Sequence, residues 1–140
     1  MAGASTYTKN NILGAVLQGT IMPLPVAGTY ISLHTTDPGA TGVGEMGTLA
    51  WPSYVRRRAE AAGAMGTGWT TPITGVSTNT NQMTYPAQDG AASITVTHFA
   101  IWDQLTNGNM ISSAVLTTPR TLLLGDILVF DVGTLTVTVQ

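Results

Sequence analysis

Hydrophobic residues recur at the spacing of a helix in one segment of the chain, residues 5–19. Ser5 or Thr6 can cap the first turn of this helix, and Gly19 can close its end. A helix this short is not stable by itself, so we predict that its apolar stripe packs on the rest of the domain or on a neighbouring subunit. The stripe consists of four side chains at helical spacing, Ile12, Leu13, Val16 and Leu17.

From residue 26 onward, apolar positions alternate with polar ones, which is the pattern of half-buried strands. Asn107-Gly108 is typical of a hairpin turn, and we interpret the polar run 78–81 in the same way. Residues 39–51 are rich in glycine and predict a long loop, and Pro86 is expected to end its strand. Eight strands are predicted, over residues 29–34, 54–59, 73–77, 82–85, 94–103, 110–115, 127–130 and 135–139.

The apolar phase reverses within the fifth and longest predicted strand. Ile94 and Val96 share one face, whereas Phe99 and Ile101 share the other. Either this strand is buried on both sides or a β-bulge lies near Thr97-His98. We favour the bulge.

These elements predict one all-β domain over residues 1–140, with the helix at 5–19 and a β-sandwich or jelly roll of about eight strands over 26–140. The chain contains 24 Thr, which favour strands, and 16 Gly, which favour turns. Charged residues make up 9% of the sequence, against roughly 25% in an ordinary soluble domain. Because charges keep free surfaces dispersed, this deficit predicts that the chain forms a homo-oligomer.

Charge and cysteine content exclude several classes of function. The net charge is −2 with five Lys and Arg, too few for the roughly 6–10 phosphate contacts of a DNA-binding protein, so we expect no nucleic-acid partner. The absence of cysteine excludes thiolate metal sites and disulfides. The apolar runs are far shorter than the ~18 residues of a membrane span, and the N-terminus lacks the pattern of a signal peptide. We therefore expect no membrane partner, and we expect the chain to be made and kept in the cytoplasm, or assembled there.

Two motifs with possible chemistry have structural explanations. The run Gly42-Val43-Gly44-Glu45-Met46-Gly47 has the spacing of a nucleotide-binding loop, but Pro52 follows where that motif needs a helix. His34 and Asp37 straddle a strand end and a turn, where turn hydrogen bonds explain them without a metal. We predict no catalytic residue, metal or cofactor. A small hydrolase is the remote alternative, and it requires at least two of five side chains to meet in one pocket: His34, Asp37, Glu45, His98 and Asp103.

Arg56-Arg57-Arg58 is the one concentration of charge in the sequence. A solvated edge strand with Glu60 nearby and an interface anchor explain it equally well. Trp102 lies in a predicted strand and is expected in the core, whereas Trp51 and Trp69 lie in glycine-rich loops and are candidates for exposed contacts. The candidate interface residues are therefore Ile12, Leu13, Val16, Leu17, Trp51, Arg56, Arg57, Arg58 and Trp69.

Several blocks of the sequence resemble small virion proteins of tailed bacteriophages, a family often labelled tail fibre protein. The resemblance covers most of the chain from the N-terminal helix onward, and it implies a structural virion component without enzymatic activity. The blocks that carry it are Tyr30-Ile31-Ser32-Leu33-His34-Thr35-Thr36-Asp37-Pro38-Gly39, Tyr54-Val55-Arg56, Thr97-His98-Phe99-Ala100-Ile101-Trp102-Asp103, Leu116-Thr117-Thr118-Pro119-Arg120 and Gly125-Asp126-Ile127-Leu128-Val129-Phe130.

With this resemblance, the leading hypothesis is a non-enzymatic virion protein that oligomerises and decorates the particle, either on the capsid as a cement protein or at the neck. A chain of 140 residues without repeats suits a decorating module better than a long shaft. The alternative is a tail or neck fibre module whose exposed loops, with Trp51 and Trp69, contact a host receptor. Both hypotheses place the chain in the virion, among capsid, neck or tail proteins.

Overall fold

The computed structural model describes residues 3–61 and 63–138. Helix α1 spans Thr6–Gln18. The Ser5 hydroxyl caps the helix by accepting a hydrogen bond from the Thr8 amide at 3.1 Å. Gly19 ends it in the left-handed conformation, with a φ of 67°. The predicted helix and both of its caps are confirmed.

Antiparallel strands make up most of the remaining regular structure. The described residues contain β1 Gly3–Ala4, β2 Tyr30–His34, β3 Arg57–Arg58, β4 Val76–Thr78, β5 Met83–Ala87, β6 Ile94–Trp102, β7 Met110–Leu122, β8 Ile127–Phe130 and β9 Thr136–Thr138. The main sheet has the order β1-β7-β6-β2-β3, while β4 pairs with β9 and β5 pairs with β8. The all-β class with a short N-terminal helix is confirmed.

The core lies where the β5–β8 pair covers the main sheet. Tyr85 of β5 is buried, and its hydroxyl donates to the carbonyl of Ile31 in β2 at 2.9 Å. Its ring meets Phe130 of β8 edge-on, with centroids 6.1 Å apart, and stacks on Tyr54 at 6.3 Å. Aromatic side chains thus fill the space between two facing layers, which is a sandwich-like arrangement.

The predicted irregularity in the fifth strand is confirmed. Val96 lies opposite Arg120, but His98 lies opposite Val115. Between these two pairs, β6 advances by two residues and β7 by five. The extra residues of β7, within 116–119, form the bulge. This bulge also accommodates Pro119, whose nitrogen cannot donate to a sheet ladder.

Several predicted strand limits are wrong. β4 begins at Val76 instead of residue 73, and β7 continues to Leu122 instead of ending at residue 115. The strand expected over residues 54–59 pairs only at β3, because the Tyr54 amide donates to the Trp51 carbonyl and closes a turn there. The fourth predicted strand does not end at Pro86, since β5 continues to Ala87 through a shift of register against β8. The last predicted strand reached Val139, which lies outside the described residues.

The polar run 78–81 is not a hairpin turn, because β4 and β5 enter different sheets. Asn79 gives the physical reason. Its side chain is fully buried, donates to the carbonyls of Asn81 and Asp131 at 2.9 Å, and accepts from the Leu135 amide at 2.8 Å. These bonds fix the run against residues 131–135 of a distant segment. A solvent-exposed turn would leave the same amide free to bond water.

Candidate assembly surfaces

Helix α1 is attached to the main sheet through its first turn. The Thr8 hydroxyl and the Ser5 amide both donate to the Ile111 carbonyl of β7, at 2.7 and 3.0 Å. Thr8 is the buried residue of this helix, whereas Val16, on the apolar stripe, is 75% exposed. The prediction that the stripe packs on the rest of the domain is therefore wrong. Packing on a neighbouring subunit stays a prediction.

Apolar exposure continues beyond the end of the helix. Ile21 is 93% exposed and Val26 is 98% exposed. The sequence has no Asp, Glu, Lys or Arg between Lys9 and Asp37, so this segment is itself uncharged as well as apolar. We call residues 12–26 the N-terminal apolar arm. Its exposed large apolar side chains are Ile12, Leu13, Val16, Leu17, Ile21, Met22, Leu24 and Val26.

Trp51 lies in the core, so the expectation of an exposed contact is wrong at this position. Its side chain is 0% exposed and lies beside the rings of Tyr54 and Tyr85, with centroids 5.7 and 6.2 Å away. The indole N–H donates to the Ala87 carbonyl at 3.1 Å. The glycine-rich loop folds back over the core, and Gly90 permits this approach because a side chain there would collide with a backbone carbonyl of the loop.

Arg56 is also buried, and it is held by contacts within the chain. Its guanidinium forms a bidentate ion pair with Glu45, with Nε–Oε1 and Nη2–Oε2 distances of 2.8 and 2.6 Å. Nη1 donates to the carbonyls of Gln104 and Asn107 at 2.9 and 2.8 Å, and the guanidinium lies 3.9 Å from the centre of the Trp102 ring. A solvated edge strand and an interface anchor were the two explanations for the arginine run. Neither holds for Arg56, because its side chain binds loops of the same chain.

Tyr54 extends this polar cluster into the main sheet. Its hydroxyl donates to Glu45 Oε1 at 3.2 Å and accepts from the Leu33 amide at 2.9 Å. Burial raises the pKa of Tyr54 well above its usual value, so the phenol stays protonated and able to donate. The carboxylate of Glu45 thus accepts hydrogen bonds from both the Tyr54 hydroxyl and the Arg56 guanidinium.

Arg57, Arg58 and Trp69 are half-buried. Arg58 Nε lies 3.6 Å from Oε2 of the fully buried Glu60, which confirms the predicted proximity of Glu60 to the arginine run. Glu60 accepts from the Thr29 amide and hydroxyl at 2.7 and 2.8 Å, and the Trp69 indole donates to the same hydroxyl at 2.8 Å. The interface role of these three side chains stays a prediction.

His34 and Asp37 do not form a site together. His34 is fully buried in β2, where Nδ1 donates to the Val43 carbonyl at 3.1 Å and Nε2 accepts from the Ser32 hydroxyl at 2.7 Å. We assign this neutral tautomer from the hydrogen-bond partners. Asp37 accepts from the Gly39 amide at 2.8 Å in the predicted turn. The structural explanation of each residue is confirmed.

Of the five side chains required by the hydrolase alternative, His34 lies opposite His98 in the sheet and pairs with Glu45 in a β-bridge, whereas Glu45 and Asp103 border different clefts. Glu45 borders an open cleft with Arg56 and residues 105–108, whereas Asp103 borders a neighbouring cleft with Tyr30 and residues 24–27. The Asp103 carboxylate accepts hydrogen bonds from the backbone amide and the side-chain amide of Asn109, at 2.7 and 2.9 Å. In residues 3–61 and 63–138, no group of three or more His, Asp or Glu side chains is arranged to hold a metal ion.

The glycine-rich run 42–47 forms turns rather than the start of a helix. Gly42 has a φ of 82°, and a β-carbon there would lie 2.5 Å from the Trp102 ring. Gly42 therefore serves close packing of the loop on the main sheet, and the nucleotide motif is excluded by its context. Within the described part of the chain, no helix is long and apolar enough to cross a membrane.

A sandwich-like all-β fold with an exposed, uncharged apolar arm is typical of a structural module that assembles with other proteins. The model of the family described as Podophage GP4 fiber I protein gp80 matches residues 3–138. Because the match covers nearly the whole chain, the chain belongs to this family, and the predicted resemblance to phage fibre-type proteins is confirmed. The family is one of bacteriophage fibre proteins, which implies a structural protein of the virion. No curated protein matches the chain.

Proposed function

We propose that this chain is a non-enzymatic structural subunit of a podophage fibre, attached to the particle through protein–protein contacts. The observation that carries the proposal is the family match over residues 3–138, which includes the helix as well as the β-sandwich. Decoration of the capsid was the leading hypothesis from the sequence. The description of the family as fibre proteins favours the fibre alternative, so we place it first.

The surface of the chain supports an assembly role. The N-terminal apolar arm exposes eight large apolar side chains over 15 residues without a charged group. Exposed apolar side chains scattered singly are normal, but a contiguous group of this kind marks an interaction site. We propose that the subunit is made in the host cytoplasm and that its arm becomes covered during assembly of the virion.

A receptor contact through the two loop tryptophans is not part of this proposal. Trp51 is fully buried, and the Trp69 indole N–H is used inside the chain by Thr29. Trp51 therefore offers no exposed ring face for stacking on a glycan, and Trp69 is packed in part against the core. The half-buried Trp69 retains a protein interface role as a prediction.

Cryo-electron microscopy of the intact particle tests the proposal, with antibody labelling of the chain as a second measurement. We expect density for this fold in the fibres. Density at regular positions on the capsid lattice would instead establish the decoration hypothesis, and absence of the chain from purified particles would overturn both. Hydrolysis of host glycans by the purified chain would contradict the non-enzymatic part.

A further inference from the structure

Arg57 of β3 carries a positive charge that the described chain does not balance. Its partner across the sheet is Ile31, so the arginine side chain projects from the same face of the main sheet as this core residue. The residue is half-buried, and its Nε is shielded from solvent without a hydrogen-bond partner. In residues 3–61 and 63–138, the ion pairs formed by arginine are those of Arg56 and Arg58.

The other cations of the chain are either paired or fully solvated. Arg56 is held by Glu45, and Arg58 lies beside Glu60 and donates to the Gly63 carbonyl at 3.0 Å. Lys9 and Arg120 are exposed to water. Arg57 is therefore the cation of the described chain that is partly withdrawn from water without a counter-ion, an arrangement that is unfavourable unless a ligand completes it.

We propose that Arg57 anchors a carboxylate of another virion protein, an Asp or Glu side chain at a protein–protein interface. This inference rests on the proposed role as an assembling structural subunit, and it names the contact and the chemistry of the partner. A guanidinium presents a planar fork of N–H donors that matches a carboxylate, and arginine is a frequent anchor of interfaces. Because β3 is the last strand of the main sheet, a partner can approach Arg57 from the side away from β2.

The balance of charge at β3 favours a carboxylate over a phosphate. Glu60 compensates Arg58, so Arg57 leaves one positive charge without a partner among the described residues. A carboxylate brings one negative charge and two acceptor oxygens in one plane. A phosphate group carries up to two negative charges at neutral pH, and the second would meet no free cation at this position.

The carboxylates of this chain are engaged in its own fold, which favours a different protein as the partner. Glu45 and Glu60 are held inside by the contacts described above. The five aspartates accept hydrogen bonds from the chain itself, at Asp37, Asp89, Asp103, Asp126 and Asp131. A second copy would have to give up such a bond to reach Arg57, whereas another virion protein brings a carboxylate that is free to bind.

Replacement of Arg57 by methionine tests the proposal, because R57M keeps the apolar stem and removes the charge. In the purified full-length chain, urea denaturation should show R57M to be as stable as the wild type, since no partner within the chain is lost. Phage particles assembled with R57M should contain at least about tenfold less of the chain, because loss of one partner of a desolvated ion pair strongly weakens a contact. The matched control is R120M, at an exposed arginine, which should change neither measurement.

Labelling with phenylglyoxal, a reagent for arginine, followed by peptide mass spectrometry, locates the contact. We expect Arg57 to be labelled in the purified chain and protected in the particle, while Arg120 is labelled in both. Equal labelling of Arg57 in the two states would overturn the proposal. A charge reversal identifies the partner, since incorporation of R57E should be restored by an Asp or Glu to Arg substitution in another virion protein.

Three further results would contradict the proposal in different ways. A loss of stability in purified R57M would show that Arg57 has a partner inside the chain. Restoration of R57E by a substitution in the same chain would assign the contact to a second copy. Normal incorporation of R57M with loss of adsorption to host cells would assign Arg57 to an acidic group of the host surface. Fibre density for the wild-type chain would support the proposed function in each case.

Discussion

Arg56 and Glu45 form a bidentate ion pair, at 2.8 and 2.6 Å, in which the arginine side chain is 6% exposed and the glutamate side chain 24%. The pair connects the long loop 39–51 with the segment that leads into β3. Through Nη1 it also holds the loop between β6 and β7 by two carbonyls. One side chain thus fixes three irregular segments that have no sheet ladder of their own.

Removal of Arg56 is expected to destabilise the fold strongly. R56A leaves the Glu45 carboxylate without its charged partner and removes the arginine donor from two carbonyls, and the free energy of unfolding should fall by about 3 kcal/mol. Urea denaturation followed by circular dichroism measures this change. The control is R120A at an exposed arginine of β7, with an expected change within about 0.5 kcal/mol. Equal losses for the two variants would contradict the structural role of Arg56.

Substitution of Gly42 tests the packing of the loop on Trp102. G42A introduces a β-carbon 2.5 Å from the ring at a φ of 82°, so it adds a steric clash to backbone strain. The matched control is G39A, because Gly39 also has a positive φ, 63°, but open space around its β-carbon position. We expect G42A to be less stable than G39A by about 1–3 kcal/mol. Similar melting temperatures for G42A and G39A would show that the loop 39–51 does not pack against the Trp102 ring.

Acid should destabilise the protein through His34. Burial lowers the pKa of His34 in the folded state, so the unfolded chain binds a proton more readily. The stabilising contribution is complete above the unfolded pKa of about 6.5. It is lost as the pH falls from there through the folded pKa. Protonation of Nε2 would also require the Ser32 hydroxyl to stop donating to the ring and to turn its proton toward the more distant Ala100 carbonyl, at 3.4 Å.

Thermal unfolding of the wild type and H34Q between pH 7.5 and 5 measures this effect. We expect the melting temperature of the wild type to fall more steeply below pH 6.5 than that of H34Q, which cannot titrate at this position. Parallel curves for the two proteins would contradict the assignment of a buried neutral histidine. The other titratable side chains are common to both proteins, so the comparison isolates the effect of residue 34.

The sequence by itself determined the features that depend on neighbouring residues. Helix α1 and its caps follow from Ser5 and Gly19, since capping needs a side-chain oxygen before the helix and a left-handed residue after it. The register shift between β6 and β7 follows from the reversal of apolar phase around Thr97. The hairpin signal at Asn107-Gly108 is confirmed too, with positive φ at both residues.

Only the tertiary structure decided which polar and aromatic side chains are buried. Trp51 and Asn79 lie in segments whose local composition is that of exposed loops or turns, and Arg56 lies in a predicted strand. Each of the three is nevertheless buried by partners between 11 and 56 residues away. Local periodicity carries no information about such distant partners. The sequence therefore predicted the all-β class and the apolar stripe of the helix. Only the tertiary structure showed that this stripe is exposed on the domain and that long-range hydrogen bonds bury Trp51 and Arg56.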